Sequence, residues 1–123
     1  MPFGPVRYDK MRSISADHAT MIALDEIMRD QEQGRSEAVR GSILELADQL
    51  YNGASRRVPL SLDDDLQDEQ EYPLQFSFAY SERITAAVER IIRVRKIKNV
   101  SKIVRDAIRE KAQRLRNERM AKA

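Results

Sequence analysis

Residues 74–80 alternate without a break. Leu74, Phe76, Phe78 and Tyr80 fall on one face, and Gln75, Ser77 and Ala79 on the other. Side chains along a strand point to opposite sides in turn, so the pattern predicts a strand with one buried face. A single strand leaves a row of unpaired backbone groups. The strand together with its downstream helices spans only about 45 residues, too few to close a core alone. The chain must therefore supply this strand with a partner, either from a second copy or from elsewhere in its own sequence.

The surrounding segments read as helices. Ser81 caps one that begins with Glu82 and Arg83 and is lined by Ile84, Ala87, Val88, Ile91 and Ile92. After a loop at Lys96-Ile97-Lys98, Asn99 caps a last helix that buries Ile103, Val104, Ala107, Ile108, Ala112 and Leu115. Its polar end, from Arg114 to Ala123, is expected to fray. Upstream, Asp17 caps a helix over 18–32 carrying Leu24, Ile27 and Met28, which Gly34 is expected to break. A further helix runs from Ser36 to Tyr51 on a stripe of Ala38, Val39, Ser42, Ile43, Leu46, Ala47 and Leu50, and Asn52-Gly53 ends it. Before the first helix, a weaker strand is placed at 11–16. Ile14 and Ala16 face inward, and Met11, Ser13 and Ser15 face outward. Arg12 then falls on the inward side, which leaves the register of this strand open by one residue.

The two halves repeat. Ser36, Val39, Arg40, Ile43, Ala47 and Leu50 align with Ser101, Val104, Arg105, Ile108, Ala112 and Leu115 at an offset of 65. Leu24, Ile27 and Met28 align with Val88, Ile91 and Ile92 at an offset of 64, the difference falling in a loop, where insertions are tolerated. This divides the chain into a unit at 1–51, a linker at 52–73 and a unit at 74–123. Pro59, Pro73 and the Asp63-Asp64-Asp65 run make the linker an expected acidic, flexible tether.

Charge is distributed unequally. Residues 1–51 carry 6 Lys/Arg against 9 Asp/Glu, residues 52–73 carry 2 against 6, and residues 74–123 carry 14 against 5, giving −3, −4 and +9. A basic final third suits a polyanion. The absence of cysteine excludes disulfides and thiolate metal sites. Apolar runs are far shorter than the roughly 20 residues that span a bilayer, and no signal pattern opens the chain. A cytoplasmic protein with no membrane partner is expected. His18 is the single histidine, no Gly-rich phosphate loop appears, and the aspartate run lacks the glycine and terminal glutamate of a calcium loop. No enzyme activity, metal or cofactor is expected.

The strand Gln75-Phe76-Ser77-Phe78-Ala79-Tyr80, the cap at Ser81 and the helix opening Asn99-Val100-Ser101-Lys102-Ile103-Val104-Arg105 resemble the Arc/MetJ ribbon-helix-helix family over about residues 74–116. The first half is similar at Gly34-Arg35-Ser36-Glu37-Ala38-Val39-Arg40. The resemblance implies a mainly α fold with a short two-stranded antiparallel ribbon, here a tandem pseudo-dimer whose units pair within one chain. It implies sequence-specific binding of double-stranded DNA as a regulator or repressor, the ribbon reading the major groove. Base-reading residues would be Gln75, Ser77 and Ala79 with Met11, Ser13 and Ser15. Phosphates would be held at the second-helix openings, by Lys98, Val100, Ser101 and Lys102 and by Arg35 and Ser36. For Arg83, Arg93, Arg95 and Lys96, a solvated charge and a phosphate contact both stay open. A plasmid relaxosome or partition accessory role, or an antitoxin-like protein whose N-terminal half binds a protein partner, also remains open, as does a higher oligomer on DNA.

Overall fold

The computed structural model describes residues 10–51 and 73–122. The order is β1 (Lys10–Ala16), α1 (His18–Gln31), α2 (Arg35–Tyr51), β2 (Leu74–Tyr80), α3 (Glu82–Arg95) and α4 (Val100–Lys122). The fold is mainly helical with one two-stranded antiparallel sheet. The tether assigned to 52–73 lies outside the described residues, apart from Pro73.

β1 and β2 pair along their whole length, from Lys10 opposite Tyr80 through Ser13 opposite Ser77 to Ala16 opposite Leu74. This settles the register of the first strand. Ile14, Ala16, Phe76 and Phe78 are buried, as their alternation requires. Arg12 shares their parity and lies opposite Phe78, yet it stays exposed.

A single apolar cluster beneath the ribbon draws on every element. Ile27, Ile43, Ile91, Ile103 and Ile108 are almost wholly enclosed. The helices pack more extensively across the halves than within them: α1 lies on α4, and α2 on both α3 and α4. Neither half holds its apolar stripes away from water without the other.

The helix ends follow local chemistry. Asp17 caps α1, accepting from the Thr20 amide at 2.9 Å. Its carboxyl is shifted below its ordinary value: burial opposes the shift, but the Thr20 hydroxyl and amide, with Arg109, outweigh it. Asn99 caps α4 through the Lys102 amide at 3.2 Å. Ser81 stands at the N-cap of α3 with the expected extended backbone but makes no side-chain cap bond, which corrects its expected role. α1 stops before Gly34. Glu32 adopts the left-handed conformation (φ 52°) and donates its amide to Met28. Lys96, 64 residues on, ends α3 in the same way (φ 58°), with its amide 2.7 Å from the Ile92 carbonyl.

The expected fraying of the last helix is also corrected. α4 continues to Lys122, because its arginines find acids on the first half. Arg114 bonds Glu45 and Gln49, while Arg116 grips Glu26 with two bonds of 2.9 and 2.7 Å. No described helix is long and apolar enough to cross a membrane.

Candidate nucleic-acid interface

The pairing of β1 with β2 turns six side chains to the face opposite the core: Met11, Ser13 and Ser15 from one strand, and Gln75, Ser77 and Ala79 from the other. Met11, Ser13 and Gln75 are exposed, and Ser15, Ser77 and Ala79 are half-buried. Cross-strand pairing sets Met11 opposite Ala79, Ser13 opposite Ser77 and Ser15 opposite Gln75. The surface is thus a short strip of small polar groups with an amide at one place and a thioether at another. Gln75 both donates and accepts, and the serine hydroxyls do either.

Each second helix is tied to the ribbon. Arg40 of α2 donates to the Ala79 carbonyl at 2.7 Å, and the Ala79 amide donates to Ser36 Oγ at 2.9 Å. Arg105 of α4 donates to the Ser15 carbonyl at 2.8 Å and its hydroxyl at 3.2 Å. Each arginine therefore ties its helix to a strand of the opposite half. The sequence carried a signal for this pair, since Arg40 and Arg105 align in the repeat. Arginine suits the task because its planar fork reaches a carbonyl while keeping its charge.

The residues assigned to phosphate contact divide. Arg35 and Lys98 are exposed, and Ser36, Val100 and Ser101 are half-buried at the starts of α2 and α4. The opening amides of a helix have no intrahelical acceptor and carry partial positive charge, so both starts favour an anion. Ser36 already spends its hydroxyl on Ala79. Lys102 departs from its assignment. Its side chain is 3% accessible, its ammonium stands 3.8 Å from Asp106, and its amide is bonded to Asn99. Spacing alone put Lys102 at a helix opening, but the helix turns it inward.

Arg95 is likewise no surface charge. It forms a two-bond pair with Glu110 at 2.5 and 3.1 Å, and both side chains are almost fully enclosed. Between α3 and α4, Arg95, Glu110, Lys102 and Asp106 make a buried ionic cluster. Burial pushes the Asp106 carboxyl up to about 6; Glu110 adds to the shift, while Lys102, Arg95 and Arg109 oppose it. Only the mixture of Arg, Glu, Lys and Asp at helical spacing hinted at this cluster, and the same spacing describes an exposed charged face.

Arg83, Arg93 and Lys96 are exposed, as is His18 at the first position of α1. The described residues gather no group of three His, Cys, Asp or Glu able to hold a metal, and the Asp63-Asp64-Asp65 run lies outside them. No protein-family model, curated protein or solved structure matches the chain.

Proposed function

We propose that the chain is a sequence-specific double-stranded-DNA-binding regulator of ribbon-helix-helix type, acting in the cytoplasm. Its two units, 1–51 and 74–123, pair with each other as a tandem pseudo-dimer joined by the acidic segment 52–73. The observation that carries this reading is the ribbon itself. An in-register antiparallel pair presents Met11, Ser13, Ser15, Gln75, Ser77 and Ala79 on one face, with α2 and α4 fastened to it through Arg40 and Arg105. A two-stranded ribbon fits the major groove, where each base pair presents its own donor and acceptor pattern.

The internal symmetry supports the tandem reading. Ser13 and Ser77 are opposite each other in the ladder and also 64 residues apart, the offset of the repeat. Arg40 and Arg105, 65 apart, hold Ala79 and Ser15, themselves 64 apart. One chain then supplies what a smaller member of such a family obtains by dimerising. Phosphate contacts fall to Arg35, Lys98 and the opening amides of Ser36, Val100 and Ser101. On this reading Lys102 supports the helix from inside.

The test is footprinting of the purified chain on DNA from its own genomic neighbourhood, followed by paired variants. Gln75→Ala should change stability by no more than about 0.5 kcal/mol, as expected of a surface site. It should also lose about 1–3 kcal/mol of discrimination at one base pair. Phe78→Ala should instead lose about 3–5 kcal/mol of stability through the cavity it leaves. Unaltered base preference in Gln75→Ala would remove this strand face from the reading.

A further inference from the structure

The repeat is broken at Arg12, a position of inward parity in the ribbon, and a cavity lies there. Residue 12 aligns with residue 76 at the offset of 64, yet one is an exposed arginine and the other a phenylalanine only 4% accessible. Phe76 stands opposite Ile14 in the ladder, within the apolar cluster. The repeat relates Ile14, Ala16, Thr20, Leu24 and Val39 to Phe78, Tyr80, Ile84, Val88 and Val104. The first set is buried throughout. The second set, with Arg12 and Ile92, lines an open cavity of about 220 Å³. The repeat thus sets the buried Phe76 against an apolar cavity with an arginine at its edge.

We propose that this cavity is an effector site for a small aryl carboxylate, the ring taking the place that Phe76 fills on the other side and the carboxylate meeting Arg12. Size supports a single ring: an apolar cavity of about 150 Å³ holds benzene, so 220 Å³ admits a ring with a short acid chain. Wall chemistry supports the body of the ligand. Phe78 and Ile84 are buried, while Tyr80, Val88, Ile92 and Val100 keep part of their apolar surface open. Charge supports the head group. Arg12 lines the cavity while its guanidinium is exposed, and no hydrogen bond or ion pair ties it among the described residues. An arginine fork matches a carboxylate with two parallel bonds. Glu89 also lines the edge, so a doubly charged acid is disfavoured. The walls include Phe78 of the ribbon and Val100, the first residue of α4, so an occupant would stiffen the reading strand against a phosphate-holding helix start.

The assignment rests on the tandem reading, because that reading pairs Arg12 with Phe76. Its test is made without DNA, so that a failure of either one shows separately. Binding of 3-phenylpropanoate and of the uncharged 3-phenylpropanamide to the full chain is followed by saturation-transfer NMR and thermal melting. The acid should bind at least about tenfold more tightly than the amide, the scale of one charge-assisted contact. In Arg12→Gln the two should bind alike. In Arg12→Phe neither should bind and the melting temperature should rise, since the new ring fills the space as Phe76 does. Melting confirms that each variant is folded, and Val88→Phe offers a second way of filling the cavity, with the same loss expected. Equal binding of acid and amide to the unaltered chain, or undiminished binding by both filled variants, would overturn the proposal. Absence of binding by either probe to the unaltered chain likewise overturns it.

Discussion

Glu45 and Glu110 stand 65 residues apart, at the same place in the repeat, yet they live in different media. Glu45 is about one-third accessible and bonds Lys111 and Arg114 across the boundary between the halves. Glu110 is 5% accessible and locked to Arg95 inside its own half. The neighbouring positions diverge in the same sense: the buried acid Asp106 corresponds to Gly41, and the buried Lys102 to the exposed Glu37. The two halves share a backbone plan and the same strand-fixing arginines, but among the described residues only the second has an ionic interior beside the common apolar core. Apolar stripes and helix ends define the plan. Charge placement is then free to vary, and in the second half a few charged residues turn inward.

The largest expected difference comes from those two glutamates. Glu110→Ala leaves Arg95 buried without its partner and should destabilise the chain by about 3–5 kcal/mol. Glu45→Ala releases partners that can reach water and should cost about 1 kcal/mol or less. Urea unfolding of both variants at neutral pH measures this directly. Equal losses would mean that the Arg95–Glu110 pair is solvated in solution and the contrast between the halves is lost.

A smaller effect should follow pH. The Asp106 carboxyl titrates near 6 in the folded chain against 3.8 in a free chain. The folded state therefore holds this proton more tightly than the unfolded state does. The stabilisation is full below about pH 4 and is lost as pH rises through 6. At about 1.4 kcal/mol per unit, the change is on the order of 3 kcal/mol. Lys102, Glu110, Arg95 and Arg109 are the charged groups that face it. Asp106→Asn should lack this dependence, so stability of the variant relative to the parent should rise by roughly that amount between pH 4 and 7. Chemical denaturation at four pH values tests it; a constant difference would show that Asp106 is ionised throughout. Glu26 runs the opposite way. Bonding to Arg116 holds its carboxyl below the usual value despite some burial, so its contribution is present at neutral pH and falls away in acid.

Periodicity made the four helices and two strands of the described residues legible, because a core face repeats every two or every three to four residues whatever its neighbours are. Ile14, Ala16, Phe76 and Phe78 face inward as alternation requires, and Asp17 and Asn99 cap as their types favour. What escaped depends on the tertiary fold. Nothing in Lys98 and Lys102 distinguishes an exposed from a buried ammonium until α3 lies beside α4. Arg114 to Lys122 reads as a polar tail until Glu26 and Glu45 stand across from it. The stop at Glu32, two residues before Gly34, sets a non-glycine residue in the left-handed conformation, which costs roughly 1–2 kcal/mol and is offset by the hydrogen bond its amide donates to Met28. Arg12 breaks the inward pattern of β1. It was visible in the sequence, but its meaning required the cavity beneath it.

The smallest effect separates the two lysines at the second half's helix opening. Lys98 is exposed ahead of α4, whereas Lys102 is enclosed beside Asp106. A cation that neutralises one phosphate releases counterions and contributes about 0.9 to the slope of log K against log salt. Lys98→Ala should therefore flatten that slope by about 0.9 while leaving stability within about 0.5 kcal/mol. Arg35→Ala, at the opening of α2, should flatten it by a similar amount if both halves grip the backbone. Lys102→Ala should leave the slope as it was and lower stability instead, because it removes the cation facing the buried Asp106 carboxylate. Titrations of one duplex at several salt concentrations, paired with melting curves, give both quantities for each variant. A flattened slope in Lys102→Ala would mean that this ammonium swings out to the phosphates on binding. The ionic interior of the second half would then be a store of DNA contacts, and the contrast with the first half would be one of state as well as of composition.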